Sequence, residues 1–395
     1  MTKILILGTG FGQLPLINAC KEMDIESVGV DRNSSSVGAG LVDKFYEVDI
    51  INYAEICNVA KQEGIDGAVT MQTDASVPTL GKVNDELGLT GVTEQTALAC
   101  SNKNLTRELF KSGKVSQPNY AFVTTLNEAK DLVEAIGFPC VIKAPDSSGS
   151  RGVTKLESID ALDYGFQEAK LYSGSGLIII EEFIKGIEIG AQTFSEAGEC
   201  LYCFLHNDTL SEGEYMVPVG HSYPLNTPSI NEDRVKNEIF KALNALGLKN
   251  GPANIDLIVS EDGTPYIIEI GARAGATCLP ELTSFHTGYD WTKTIIRNCL
   301  GLKHEKIDSA ERPCAALILQ SPRDGVFRGF DTEFTETNYA DCLIDFEVTA
   351  SPGDLVSILR KGTDRIGKVI TSGNTPFEAE KKAAEIAAKI VFEVD

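Results

Sequence analysis

No stretch of this 395-residue chain is apolar enough, for long enough, to cross a bilayer, which excludes an integral membrane protein built on helices. Positive charge is scarce. The chain has 35 Lys and Arg against 57 Asp and Glu, a net charge of −22 and a pI near 4.6. Such a surface repels nucleic acid and anionic lipid, so neither is expected as a partner. It repels any polyanionic ligand at long range too, so a phosphate site would have to rest on local lysines and a metal ion. A secretory signal is not expected: MTKILILGTGFG has one Lys and a short apolar run ending in glycines, the pattern of a buried strand and its turn. The expected location is the cytoplasm, and the ten scattered cysteines are expected to be reduced core residues. Cys200 and Cys203 form a CxxC without a second pair at metal spacing and read as structural. Histidine is sparse. His206 and His221 read as structural or binding residues, and no His is assigned as a catalytic base. Internal repeats and low-complexity linkers are lacking as well.

What the chain does contain is length for two to three domains. Residues 1–100 alternate strand and helix. KILILG, SVGVD, DKFYEVDI and GAVTM read as strands, and residues 14–23 have helical spacing. This is the βαβ pattern of an open parallel sheet with helices on both faces. Gly8, Gly10 and Gly12 follow the first strand, with Gln13 where a dinucleotide fingerprint wants glycine and Asp31 where a ribose-binding acid would sit. Two readings stay open: a nicotinamide site serving an oxidoreductase, or a glycine turn that shapes a small-molecule pocket. The imperfect fingerprint favours the second. Gly10, Phe11, Gly12 and Gln13, with Thr73 and Asp74 at the carboxyl edge of the sheet, are therefore the substrate candidates. Asp74 either meets the substrate or caps the helix that follows it.

Residues 101–117 form a helix capped by Ser101 or Asn102 and stopped by Gly113. Lys103 lies in its first turn, where the helix dipole disfavours a cation, so it makes sense as a lysine reaching for an anion. Residues 118–186 read as a small α+β unit. Its strand PCVIKAP buries Lys143, which needs a partner such as phosphate. Then comes DSSGSRGV, a loop of Ser147, Ser148, Gly149, Ser150, Arg151 and Gly152 whose backbone N–H groups and hydroxyls can wrap phosphate oxygens. It lacks a Walker A ending and reads equally as a hairpin tip. The run LIIIEEFIKGIEIG ends a strand at Glu181, Glu182, Phe183 and Ile184, where backbone groups can read an adenine edge, and Glu188 could hold ribose hydroxyls. A helix over Glu232–Leu246 follows. Residues 301–395 form a terminal unit with strands around AALILQS and DLVSILR and a last helix over 376–390.

The chain is organised around residues 254–276, NIDLIVSEDGTPYIIEIGARAGA. NIDLIVS and PYIIEI read as strands flanking a turn at Asp262 and Gly263. Pairing out from that turn sets Ile258 against Ile267, Asp256 against Glu269 and Asn254 against Gly271. Two carboxylates directly opposite each other repel unless a cation lies between them, and hard oxygen ligands suit Mg²⁺. Arg273 adds a fixed cation on the same face. The competing reading is an exposed hairpin whose acids face water.

Taken in order, Lys103, Lys143, SSGSRG, EEFIKGIE and the Asp256/Glu269 pair with EIGAR resemble the ATP-grasp superfamily of carboxylate–amine ligases. The segments GTDRIGKVI and TPFEAEKKA resemble the tail of its biotin-carboxylase-like, carbamoyl-phosphate-synthase-like and amino-acid-ligase-like members. The resemblance implies an α/β and α+β protein. An open parallel pre-ATP-grasp sheet (1–100) precedes a two-part ATP-grasp fold (101–300) with a small lid near 118–186, and a C-terminal α+β unit (301–395) packs on that core. It implies that Lys103 and Lys143 hold ATP phosphates and that Ser147 to Gly152 fold over them. Glu181, Glu182, Phe183 and Ile184 become the adenine strand and Glu188 the ribose acid. Asp256 and Glu269 become ligands of Mg²⁺, for which Mn²⁺ can substitute, and Arg273 stabilises the developing oxyanion. There is one departure. The family commonly has E-x-N at the metal, and here position 271 is glycine, so Asn254 or water would fill that coordination position. The implied reaction activates a substrate carboxylate as an acyl phosphate and condenses it with an amine, expected to be an amino acid. Partners are then two small molecules, and a homodimer stays open. A nicotinamide-dependent oxidoreductase and a nucleotide-binding protein without catalysis are the alternatives.

Overall fold

The computed structural model describes residues 2–146, 152–211, 217–303, 310–333 and 336–395. The chain opens with β1 (Lys3–Leu7), β2 (Glu26–Asp31), β3 (Lys44–Glu47) and β4 (Gly67–Val69), a parallel sheet in the order β3-β2-β1-β4. β1 is buried on both faces. Ile4 and Ile6 pack with Phe194 and Trp291, while Leu5 and Leu7 face a second core, which is why KILIL is unbroken apolar sequence. The strand order reverses between β1 and β4, so a crevice opens at their carboxyl ends, the usual ligand position of such sheets. The turn 8–13 and the segment Gln72, Thr73 and Asp74 meet there.

A small antiparallel sheet follows: β5 (Tyr120–Val123), β6 (Cys140–Lys143), β7 (Val153–Leu156) and β8 (Ile178–Glu182), in the order β5-β8-β6-β7. Val123, Val133, Ile142, Phe166 and Ile180 give it a core of its own.

The rest of the chain contributes β9 (Gly186–Glu196), β10 (Glu199–Leu210), β11 (Pro218–Tyr223), β12 (Gly251–Ser260), β13 (Pro265–Gly271), β14 (Cys314–Gln320), β15 (Gly325–Thr332), β16 (Leu343–Val348), β17 (Leu355–Val356), β18 (Arg365–Ser372) and β19 (Ile390–Val394). Eight of these form one sheet, β13-β12-β9-β10-β11-β14-β18-β16, and the other three form β17-β15-β19. The C-terminal strands therefore extend the sheet that carries the acid hairpin, through the β11–β14 pairing.

Two local expectations need correction. DLVSILR is a strand only at Leu355–Val356, because just Gly325 and Val326 of β15 lie opposite it. The last helix spans Pro376–Ala387, and IVFEV then forms a strand whose ends, Ile390 and Val394, are buried. All ten cysteines are free thiols. No helix among the described residues is long and apolar enough to cross a membrane.

Candidate active site

β12 and β13 place Asp256 opposite Glu269 and Asn254 opposite Gly271, the pairing read from sequence. The path to that register differs from the expectation. The connection is a three-residue loop, closed by Ser260 N–H donating to the Thr264 carbonyl at 3.0 Å, with Gly263 in the left-handed region at φ +78°. This shifts the strands by one residue, so Ile258 faces Tyr266 and not Ile267. A bulge at Ile268 then inserts one residue in β13 and restores the pairing at the acids. Two offsets of opposite sense cancel before Asp256.

Burial, followed by Asp208 and Glu269, pushes the Asp256 carboxyl up to about 7, opposed by Arg273. A divalent cation relieves that repulsion, and carboxylate oxygens are the donors Mg²⁺ prefers, so these residues fit the ion. Arg273 donates from Nη2 to Asp74 Oδ2 at 2.8 Å and from Nη1 to the Ala274 carbonyl at 3.3 Å. Burial works against its charge, yet Asp74, Asp256 and Glu269 hold its pKa above the ordinary guanidinium value.

Asn254 does not sit free for a metal ion. Its Nδ2 donates to Asp256 Oδ1 at 3.0 Å, and its Oδ1 accepts from Gln192 Nε2 at 2.6 Å. Gln192 Oε1 in turn accepts from the Gly275 N–H at 2.9 Å. This chain of amides runs from the backbone just past Arg273 to the carboxylate of Asp256, and the backbone donor at one end fixes the direction of both amides. Asn254 thus orients Asp256.

On the other side of the cleft, Lys103 opens the helix Lys103–Gly113, capped by Asn102, and its Nζ lies 3.5 Å from Glu269 Oε1. Lys143, at the end of β6, pairs with Glu181 Oε2 at 2.5 Å. Arg107, four residues after Lys103 on the same helix, donates from Nε to Glu181 Oε1 at 2.9 Å. Its Nη1 and Nη2 donate to the carbonyls of Ile267 and Ile268, at 3.2 and 3.5 Å, beside the bulge. One buried carboxylate is thus shared by two cations. Arg107 and Lys143 hold Glu181 ionised against its burial, while burial, with Arg107 and Lys103 nearby, pushes the Lys143 ammonium down.

Glu181 also pairs through its backbone with Tyr120 and Val141, so it is interior to the small sheet and is not available to a base. The chain leaves the sheet after Glu182, whose carboxylate accepts from Asn119 Nδ2 at 2.8 Å. Phe183 follows, with Lys155 4.1 Å from its ring centroid, and then Ile184. Glu188 is exposed on β9. Of the phosphate loop, Gly152 takes φ +68° at the start of the return strand. Ser147, Ser148, Gly149, Ser150 and Arg151 lie outside the described residues.

The glycine turn presents no phosphate cradle. Gln13 Oε1 accepts from the Gly10 N–H at 3.0 Å and its Nε2 donates to the Met71 carbonyl at 2.6 Å, so the side chain covers the turn. Asp31 accepts from the Thr9 N–H at 2.9 Å. Phe11, Gly12, Gln13 and Thr73 instead line a cavity of about 660 Å³ that also takes in Glu281, Glu347, Arg365 and Lys368. Gly10 is not part of its wall. Asp74 does not cap the following helix, since its carboxylate goes to Arg273.

Arg107, Gln192, Asp208 and Arg365 were not singled out from sequence. Asp208 Oδ1 lies 2.8 Å from His206 Nδ1 and 2.6 Å from His221 Nδ1, on the acid-bearing sheet. Only Arg107 left a readable signal, its spacing of four from Lys103, which puts both on one helix face.

An ATP-grasp domain model matches residues 100–277, and a model described as L-amino acid ligase C-terminal domain 2 matches residues 318–395. A phosphoribosylglycinamide synthetase structure from Anaerococcus prevotii is 27% identical, with TM-score 0.82 and full coverage of both chains. An L-amino acid ligase structure from Bacillus licheniformis is 20% identical, with TM-score 0.84, covering 100% of this chain and 99% of that one. An uncharacterized protein of Sinorhizobium fredii is 26% identical over 76% of this chain, which spans 63% of its length. The chain therefore carries an ATP-grasp domain, the domain of carboxylate–amine ligases that use ATP and Mg²⁺, and an L-amino-acid-ligase type of C-terminal domain.

Proposed function

We propose that this chain activates a carboxylate as an acyl phosphate and condenses it with an amine, with an amino acid as one of the two substrates. The observation that carries this reading is the meeting of Lys103 with Glu269 at 3.5 Å across 166 residues of sequence, beside a cavity with walls of both charges. In that cavity Arg365 has no ion-pair partner among the described residues, while Glu281 and Glu347 share Lys368 at 3.5 and 3.6 Å. A small molecule bearing a carboxylate and an ammonium suits such walls. The match to an L-amino acid ligase C-terminal domain supports the same substrate class.

In the mechanism, Lys103 and Lys143 hold the phosphate chain of ATP. Asp256 and Glu269 would hold Mg²⁺, and the chemistry a bound ion supplies is neutralisation of charge on the transferring phosphoryl oxygens. The substrate carboxylate attacks the γ-phosphorus, ADP leaves, and the amine then attacks the acyl carbon with loss of phosphate. Arg273 stabilises the oxyanion that develops on that carbon. The small sheet, with its separate core, acts as a lid that keeps water from the acyl phosphate.

The test is ADP release in the presence of paired amino acids. Release should require both members of a pair, and Glu269→Gln should stay folded while losing orders of magnitude in rate. ADP release independent of any added carboxylate would sink the reading.

A further inference from the structure

Five neighbouring strands of the large sheet carry polar chemistry on one face. Glu269 lies opposite Asp256, Asp256 opposite Gly190, and Gly190 opposite His206, stepping from β13 through β12 and β9 to β10. Paired residues share a face, and Asp208, two residues past His206, falls on it as well. Asp208 pairs in turn with His221 on β11. The backbones of His206 and Asp256 are two strand spacings apart, roughly 10 Å. Gly190 makes room for the imidazole between them, since a Cβ there would lie 2.1 Å from Cε1 of His206. His206 Nδ1 and His221 Nδ1 meet one oxygen, Oδ1 of Asp208, at 2.8 and 2.6 Å, and the three ligand atoms all lie within 4.8 Å of one another. The side chains of His206, His221 and Asp208 are 0, 7 and 8% exposed. Tyr223, fully buried, packs edge-on against His206 with ring centroids 5.4 Å apart and so fixes its plane.

We propose that His206, Asp208 and His221 form a second cation site, a three-ligand centre for Zn²⁺ or a closely similar ion, separate from the acid pair on the same face. Ligand chemistry sets the two apart. Imidazole nitrogens suit Zn²⁺ and its neighbours, while Mg²⁺ takes oxygen ligands. Three protein ligands with a fourth position left to water make an open zinc set. With bonds of about 2.0–2.1 Å, tetrahedral ligand atoms stand about 3.3 Å apart, so an entering ion spreads the three atoms by roughly half an ångström. No Lys or Arg pairs with Asp208 among the described residues, so no fixed cation has to be displaced. Nε2 of His206 is buried without a hydrogen-bond partner. Moving the ring proton there costs only the Nδ1 bond to Asp208 and turns the Nδ1 lone pair toward the carboxylate, where a metal bond replaces it. The ion would join β10 to β11, the pair that carries the sheet on to β14 and the C-terminal strands.

The experiment titrates Co²⁺ into the untagged full chain, stripped by chelator and then held in excess Mg²⁺ to fill the acid pair. Co²⁺ bound by nitrogen and oxygen shows visible d–d bands, and a thiolate ligand adds a near-ultraviolet charge-transfer band. One Co²⁺ per chain should bind with visible bands, without the thiolate band, and should be displaced by Zn²⁺. The bands should persist in Asp256→Asn. His221→Gln and Asp208→Asn should each weaken Co²⁺ by roughly tenfold or more. Zn²⁺ should raise the melting temperature of the parent, since an ion held by the folded chain stabilises it, and should leave that of His221→Gln nearly unchanged. Melting in chelator checks that the variants fold, and the parent titration decides even where they do not. Absence of stoichiometric Co²⁺ bands in the parent overturns the proposal and leaves a hydrogen-bonded trio. Bands lost in Mg²⁺ or in Asp256→Asn overturn it by placing the ion at the acid pair, and a thiolate band does so by placing it on cysteine. Undiminished affinity in both His221→Gln and Asp208→Asn overturns it as well.

Discussion

Asp256 holds a proton at a pH where an ordinary aspartate has lost it, because burial and then Asp208 and Glu269 disfavour its charge. Between the usual carboxylate value and about 7, the folded chain binds a proton that the unfolded chain has released. This contribution to stability is therefore complete below that window and is lost as pH rises through it. Asp256→Asn should abolish turnover, yet in chelator it should melt a few degrees higher than the parent at about pH 8, an effect of about 1–2 kcal/mol. The two melting curves should converge near pH 5. Calorimetry across that range checks this, and a variant less stable than the parent at the upper end would contradict the account. The Asp256–Glu269 pairing was legible because period-two alternation survives two offsets that cancel. The role of Asn254 was not, since its amide is oriented by Gln192 on β9, a strand that sequence does not place beside β12. Gly275→Ala tests that network. Its Cβ would meet Asn254 Oδ1 and Leu279 at 2.5 Å and Gln192 at 2.8 Å. The expected cost is about 1–3 kcal/mol of stability with a larger loss of rate, seen by pairing thermal melts with initial rates.

At the scale of elements, Arg107 ties three of them together: its own helix, β8 through Glu181, and β13 through the carbonyls beside the bulge. The apolar setting of Lys143 correctly signalled a need for a partner, and in the folded chain Glu181 is that partner. Arg107 was missed because a charged residue on an amphipathic helix reads as solvated, whereas here it is 1% exposed. Removing one member of a buried ion cluster leaves the others uncompensated. Arg107→Met should therefore cost about 3–5 kcal/mol and raise the KM for ATP, since Lys143 is then the one counter-charge left to Glu181 among the described residues. Adding Glu181→Gln to Arg107→Met should recover part of the stability, giving a coupling energy of about 0.5–3 kcal/mol in a double-mutant cycle of denaturant melts. Strict additivity would mean that the two side chains act independently and that the tie between lid and hairpin is only geometric.

For the whole molecule, the order of motifs was readable but the continuity of the large sheet was not. β11 pairs with β14 across a stretch of sequence that looked like a boundary, because hydrophobic pattern specifies that a strand is buried and not which strand lies beside it. The consequence is functional. β16 and β18 bring Glu347, Arg365 and Lys368 to the cavity that the N-terminal turn opens on its other side. Three distant parts of the chain thus enclose one space, while Lys103, Lys143 and the paired acids of the hairpin lie outside its wall. The proposed function then divides the labour, with ATP assigned to the hairpin and lysines and the amino-acid substrate to the cavity. Arg365→Gln tests it, since Arg365 has no ion pair to lose among the described residues and partial exposure makes its replacement nearly neutral for folding, within about 0.5 kcal/mol. Loss of a charge-assisted hydrogen bond to a substrate carboxylate is worth about 1.5–3 kcal/mol, so one amino-acid KM should rise by roughly tenfold or more. The KM for ATP and the melting temperature should hold. All three Michaelis constants, measured on one preparation with its thermal melt, decide the matter: a rise confined to ATP would refute the division, and a rise confined to one amino acid would place that substrate's carboxylate at Arg365.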